Sequence, residues 1–349
     1  MDAMNAPPDE FHQLWSRLKP DLTELEALRR TIIQSLSWWA CAFVLVSGLF
    51  VGAGEYFSNP RSYRIVRIEN SDFQMPVYSP LHLDDSQLLY VFLLIVMLSL
   101  IGLWQFWKRR VRPFRLMFKN RIVTAVIRAI DPSLTYQPDG GIPQAVMMGT
   151  GLFQTSPNVY VTDDLVEGKV GATTLRFAEI HASRVQSNGK QTIVIPVFNG
   201  LYFIADFNKH FRSKVLVRPD TAERLLGSMG RILQSPLFGR AKLQRLEDAE
   251  FEKEFAVVAE DPQESRYILT PSLMERIMEF RRSSGHRLAL AFAGSEVHVA
   301  VGSNRKLFEP NLFTRTDSPE LVSNYVRDVR LALGLVEDLN LNTRIWSKE

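Results

Sequence analysis

Charged residues vanish twice in the first third of the chain, over residues 31–54 and again over residues 86–107. At roughly 1.5 Å per residue, a helix over the second run measures about 33 Å, enough for the ~30 Å hydrocarbon core of a bilayer. Trp38 and Trp39 stand near the start of the first run, and Trp104 and Trp107 close the second. Such rings belong at the headgroup level. Two transmembrane helices are therefore predicted, at 35–55 and 86–107. Gly48, Gly52 and Gly54 are expected to let them approach closely.

The polar stretches around these runs carry weaker periodicities. Within residues 1–34, Phe11, Leu14, Trp15 and Leu18 recur at helical spacing after Asp9, a candidate N-cap, and Pro20 is expected to end that amphipathic helix. A second stretch over 21–30 lines up Leu22, Leu25 and Leu28. The loop 56–85 holds the alternation SYRIVRIEN, which predicts a short strand. After the second span, Phe114, Phe118, Ile122, Ala125 and Ala129 alternate with Arg115, Lys119, Arg121 and Arg128, predicting a basic amphipathic helix over 108–131 that Asp131-Pro132 ends.

From 132 to 349 the pattern is that of a folded domain. Strand-like runs are predicted at 159–162, 173–177, 192–198, 202–205 and 214–217, with a turn at Ser187-Asn188-Gly189 and a hairpin at Asn199-Gly200. A helix over 221–234, a strand over 255–259 and a helix over 271–282 follow. The helix presents Leu273, Ile277 and Phe280 inward. A hairpin of 288–292 with 297–301 and a closing helix over 318–338 complete the order. The fold class is α+β: two transmembrane helices, then a cytoplasmic domain of antiparallel β-hairpins with packed helices.

Charge fixes the expected orientation. The formal net charge is only +3, yet Lys108, Arg109, Arg110, Arg112, Arg115, Lys119, Arg121 and Arg128 precede any acidic residue until Asp131. Three arginines in the 56–85 loop oppose these eight, so both termini are expected inside and the loop outside. Anionic lipid headgroups are the expected partners of Lys108, Arg109, Arg110, Arg112, Arg115 and Lys119, at on the order of 1 kcal/mol each. The basicity is local, so no nucleic-acid partner is expected.

Candidate chemistry is sparse. The single cysteine, Cys41, excludes an intramolecular disulfide and a cysteine metal cage. The start lacks a basic n-region followed by an apolar stretch, so no cleavable signal peptide is expected. His12, His82, His181, His210, His286 and His298 never fall at metal-binding spacing, and neither GxSxG nor a Walker-type loop occurs. No cofactor is expected. His298, between Val297 and Val299, reads as solvent-facing, whereas Phe203, Phe207 and Phe211 read as core. The acids from Glu247 to Glu254 read as a solvated face. Asp163, Asp164, Glu179 and Asp206 would converge if the strands pair in order, and Asp163, Asp164 and Asp206 are the candidate metal ligands. Turn chemistry is the plainer reading of these residues.

Three strings, VYVTDDLVEGKVGATTLRFAEI (159–180), FNGLYFIADFNKHF (198–211) and FEKEFAVVAEDPQESRYILTPSLMERIMEF (251–280), resemble an uncharacterised bacterial inner-membrane family, the domain of unknown function 3137. The resemblance spans about residues 110–310. It implies two spans before a soluble domain, implies weakly a membrane-protein partner and carries over no site. The expected function is a non-enzymatic scaffold, adaptor or sensor that binds a membrane or cytoplasmic protein, with a homo-oligomer compatible. A divalent-metal hydrolase and an accessory subunit of a transport system are the alternatives.

Overall fold

A 51-residue helix, α1 (Pro8–Ser58), opens the chain and includes Pro20 in its interior. The computed structural model describes residues 8–58, 65–67, 74–76, 85–189, 191–207, 209–219, 242–339 and 341. The helix expected over 221–234, the first seven residues and most of the 56–85 loop lie outside these. Proline was expected to end the first helix, because it removes one hydrogen bond and crowds the preceding turn. Leu18, Leu22 and Leu25 are buried on either side of it, and that burial outweighs the loss. The chain divides into two compact units, one of Met1–Leu22, Phe118–Pro310 and Asp317–Glu349, the other of Thr23–Met117 and Asn311–Thr316.

The second unit holds the apolar helices. After the strand pair β1 (Ile65–Arg67) and β2 (Gln74–Pro76) comes α2 (Asp85–Phe106), and two helices here are long and apolar enough to cross a membrane. Trp38, Leu49, Tyr90 and Leu98 are among the large side chains that they leave exposed. Gly48 has no neighbour within 4 Å of where a Cβ would stand, so it makes no close approach, and the surroundings of Gly52 and Gly54 lie outside what is described. Gly102 does approach closely: a Cβ there would collide with the Trp39 indole. The rings of Phe50 and Phe92 add a contact at 6.0 Å. At the polar end of α1, buried Glu26 accepts from Arg29 at 2.7 Å, Arg30 at 3.0 Å and the Thr316 backbone N–H at 3.0 Å.

Beyond α2 the helix continues through a π-helical turn (Trp107–Val111), α3 (Arg112–Phe118), a second π-helical turn (Lys119–Val123) and α4 (Thr124–Ile130), which Asp131 ends as expected. Then follow β3 (Thr135–Gln137), α5 (Gln144–Gly149), β4 (Val159–Val170), β5 (Thr173–Ser187), β6 (Thr192–Asp206), β7 (Val215–Pro219), β8 (Lys242–Gln244), α6 (Ala249–Glu254), β9 (Phe255–Ala259), α7 (Pro262–Ile268), α8 (Pro271–Ser284), β10 (Arg287–Ala293), β11 (Glu296–Gly302) and α9 (Pro319–Asp338). Helices α7, α8 and α9 start alike. Asp261, Thr270 or Ser318 caps the first turn with its side chain, and proline follows, where its missing N–H breaks no helical bond.

Among the described residues, nine strands form one antiparallel sheet in the order β3-β4-β5-β6-β11-β10-β7-β9-β8. The middle strands are buried on both faces. One face carries Ala178, Ile180, Tyr202 and Ile204 against Met147 of α5. Phe207, Phe211 and Phe292 stack elsewhere in the core at centroid distances of 5.3–5.8 Å, as expected of the first two. Acids of the 247–254 stretch cap and pair: Asp248 caps α6, while Glu250 and Glu254 meet Arg282 and Arg281.

The expected hairpin at Asn199-Gly200 is not there. Both residues lie inside β6, with Gly200 opposite Gly302 of β11. Gly200 has φ +143°, and a Cβ would strike the Val301 carbonyl oxygen and lie 2.7 Å from Ser303 N. The glycine serves close strand approach, not a turn. Gly200→Ala is expected to lower stability by roughly 2–4 kcal/mol, read as a shift of the urea midpoint in the detergent-solubilised protein; an unchanged midpoint would contradict this role. The predicted 288–301 hairpin does form, turning at Gly294 with φ +62°.

Candidate functional site

The site starts from an irregularity in β4. Asp163 pairs with Glu179 and Val166 with Phe177, so Asp164 and Leu165 together oppose Ala178 alone. This is a β-bulge, and Asp164 occupies the left-handed region at φ +59°. Regular alternation would send two consecutive side chains to opposite faces. The bulge instead brings the carboxylates of Asp163 and Asp164 together, with Glu179 across the ladder, and their ligand oxygens lie within 4.8 Å of one another.

Into this group comes Lys119. The sequence puts it on the polar face of the basic helix, facing lipid, but it begins the second π-helical turn and is buried. The extra residue in that turn rotates the side chains out of α-helical phase. Lys119 is therefore no headgroup ligand. Its Nζ lies 2.9 Å from both carboxylate oxygens of Asp164, 3.1 Å from Glu309 and 3.4 Å from Asp163. The remaining apolar face of this helix is also occupied: Phe118 meets Tyr325 of α9 edge-on at 6.1 Å, and Ile122, Val126 and Ile127 are buried.

Tyr136 of β3 donates a short hydrogen bond to Asp164 Oδ1, and the Pro138 carbonyl accepts the Asp164 N–H at 3.1 Å. The Tyr136 ring contacts Phe308, which has φ +47°. Asp164 and Phe308 are the non-glycine residues at positive φ among the described residues, and both adjoin Lys119 or its carboxylates. Such strain persists where the surroundings over-determine it. Glu179 completes the network through His181 Nε2 at 2.6 Å and the Leu307 N–H at 2.8 Å.

The electrostatics are those of a crowded acidic pocket. Burial pushes the Asp164 carboxyl up to about 7, against the pull of Lys119, with Asp163 adding repulsion. Burial likewise raises Glu179. Burial opposes the charge on Lys119, yet Asp164, then Glu309 and Asp163, outweigh it and hold the ammonium above the usual lysine range. Tyr136 is raised by burial and by Asp164, so it stays a hydrogen-bond donor.

Asp206 is not part of this group. It pairs with Glu296 at the far end of β6, five positions from Leu201, the residue opposite Glu179, which is about 17 Å along the strand. His298 is not solvent-facing: it is buried on β11, with Nδ1 3.4 Å from the Tyr202 hydroxyl. Lys108, Arg109, Arg110 and Arg112 are exposed. Lys108 lies over Trp104 at 5.3 Å, and Arg115 covers Trp107 at 4.7 Å. Trp38, Trp39, Trp104 and Trp107 are all exposed.

Residues 196–341 match the family described as "Protein of unknown function (DUF3137)". The match takes in the strings at 198–211 and 251–280 that carried the resemblance, ends beyond the expected 310 and leaves 159–180 outside. No curated protein matches this chain. Among solved structures, the crystal structure of the mycobacterial trehalose monomycolate transport factor A, TtfA, aligns over 63% of this chain and 94% of that one, at 10% identity and a TM-score of 0.31. That similarity is too slight to carry anything across.

Proposed function

We propose that this chain, with its DUF3137 segment, is an integral protein of a bacterial inner membrane that works as a non-enzymatic scaffold, adaptor or sensor. Its two apolar helices cross the bilayer, both termini stay in the cytoplasm, and the α+β body docks another protein. Anchoring is supported by the exposed apolar side chains of α1 and α2 and by the exposed cations of Lys108, Arg109, Arg110 and Arg112 that follow at once, suited to anionic headgroups.

One observation carries the docking. The outer part of the β5–β6 hairpin is exposed on both faces: Ile193, Val194 and Ile195 stand in succession at 55%, 60% and 39% exposure. Here β6 pairs with β5 on one side, whereas the β11 ladder begins only at Gly200. Among the described residues, the other edge of 192–196 thus has no partner strand. An apolar arm with an open edge is a template for strand addition, where backbone bonds give affinity and alternate side chains give specificity.

The test is a photo-crosslinking residue at Ile193 in living cells, beside an Ile193→Asp/Ile195→Asp variant. Both positions are solvated, so folding should persist. A protein trapped by the first and lost from the second is expected; no adduct, or one indifferent to the double substitution, counts against docking. Orientation has a separate readout: in a Cys41→Ser background, cysteines at Ser71 and Ser303 should differ, with an impermeant maleimide reaching only the first in intact cells.

A further inference from the structure

We propose that Phe313, on the loop between β11 and α9, is an aromatic membrane anchor whose ring enters the lipid at the boundary between headgroups and acyl chains. The inference rests on the reading that α1 and α2 cross the bilayer. It adds a third point of attachment, supplied from the far end of the chain.

Exposure singles the residue out. Outside α1 and α2, Phe313 is the most exposed large apolar side chain among the described residues, at 77%. It does not belong to a fraying tip. Leu312 and Thr316 on either side are buried, and the Phe313 N–H donates to Asn311 Oδ1 at 2.9 Å, an Asx turn that fixes its backbone. A lone apolar side chain in water is commonplace on a protein surface. This one is set apart by its company: residues Asn311–Thr316 group with the apolar helices and not with the strand and helix that flank them in sequence.

Hydrogen bonds set the height of the loop on α1. Arg29 Nη1 donates to the Leu312 carbonyl at 2.6 Å, and Glu26 accepts from both the N–H and the hydroxyl of Thr316 at 3.0 Å. Arg29 and Arg30 are the last charges before the charge-free run over 31–54. As a helix that run measures about 36 Å, so a ~30 Å hydrocarbon core centred on it ends about 3 Å inside the run. Arg29 stands a further ~3 Å outside, within a headgroup layer about 5–8 Å deep. Phe313, next to the latched Leu312, shares that level, where aromatic rings partition. Arg30 and Arg315 are exposed in the same region, and cations at this depth suit anionic headgroups. A lipid surface, and not the protein docked by the β5–β6 arm, is therefore the occupant that the position of the ring favours.

The experiment uses the full chain, in a Cys41→Ser background, reconstituted in vesicles of phosphatidylcholine and phosphatidylglycerol. A bimane label is carried by Thr314→Cys, at an exposed position beside the ring, or by Leu98→Cys, exposed on α2. Nitroxide-bearing phosphatidylcholine is the quencher, with the nitroxide high on the acyl chain for 314 and low for 98. We expect quenching at both positions. Phe313→Asp should cut the quenching at 314 by about threefold, and Phe313→Trp should retain it. Neither change should move the urea midpoint in detergent, because the side chain makes no part of the core. Quenching at 98 without quenching at 314 would overturn the anchor and leave the spanning helices standing, as would quenching at 314 that ignores Phe313→Asp. Quenching at neither position would sink the anchor together with the bilayer-crossing reading beneath it.

Discussion

Lys119→Met is expected to destabilise the protein by about 3–5 kcal/mol, on the order of 10 °C in Tm for a body of this size. The side chain is nearly isosteric in its stem, so the loss is electrostatic. The ammonium lies 2.9 Å from Asp164, which is 1% exposed, and it also serves Glu309 and Asp163. Taking it away leaves the Asp164 carboxylate, which is fully buried, where water cannot replace it. The double variant Lys119→Met/Asp164→Asn should recover at least ~1 kcal/mol relative to the sum of the single changes, because one of the stranded charges is gone. Unfolding in urea followed by tryptophan fluorescence supplies the comparison. A single-variant effect below ~1 kcal/mol would mean that solvent, not Lys119, balances the group.

The same variant should acquire a pH dependence of a stated sign. Asp164 is already pushed up to about 7 from 3.8, and Lys119 is the influence that pulls it down. Without the ammonium it rises further. A carboxyl raised in the folded state keeps a proton that the unfolded chain releases, so its contribution is present below the unfolded pKa and lost as pH rises through the folded one. The deficit of Lys119→Met should therefore be smallest near about pH 5 and grow through neutrality. A deficit that shrinks on alkalinisation would reverse the assignment.

Much of the fold was legible because its signals are local. The helices from Pro271 and Pro319 follow from a capping side chain followed by proline, the 288–301 hairpin from Gly294 between apolar runs, and the two long apolar helices from missing charge alone. What failed needed information from elsewhere in the chain. Asn199-Gly200 has the composition of a tight turn, but the residue that demands its glycine is Val301, a hundred positions away. Pro20 reads as a stop only if the leucines around it stay in water.

The site was half legible for the same reason. Asp163, Asp164 and Glu179 could be suspected from paired strands, but the bulge that turns two neighbouring carboxylates to one side leaves no composition signal. Lys119 was concealed in a basic block whose simplest explanation is topology, and nothing in an alternation of Phe and Arg announces a π-helical turn. Tyr136, Glu309 and Tyr325 join through tertiary packing at separations no spacing rule addresses. Asp206 shows the converse failure: its meander placement suggested convergence, whereas the longer β6 carries it to the far end.

His298 should make the protein acid-labile. Burial first, then Arg176 and Lys214, lowers its imidazole from 6.5 to about 4. Nδ1 faces the Tyr202 hydroxyl at 3.4 Å, and Glu296, 3.5 Å from Nε2, is itself 3.2 Å from Arg176, so it offers the ring little. A folded state that refuses a proton which the unfolded chain accepts loses stability as pH falls from about 6.5 towards 4, by about 3 kcal/mol in all for a shift of this size. Asp164 acts in the opposite direction over the same window, since its raised carboxyl favours the folded state on acidification. The wild-type curve alone therefore hides both, and the measurement has to be a difference. His298→Leu, which keeps the bulk of the ring on an apolar sheet face and has no proton to take, should lie within ~1–2 kcal/mol of wild type at pH 7.5. It should then gain about 3 kcal/mol on it by pH 4. If the two stability curves instead run parallel between pH 7.5 and 4, the buried ring is not the group that acid attacks.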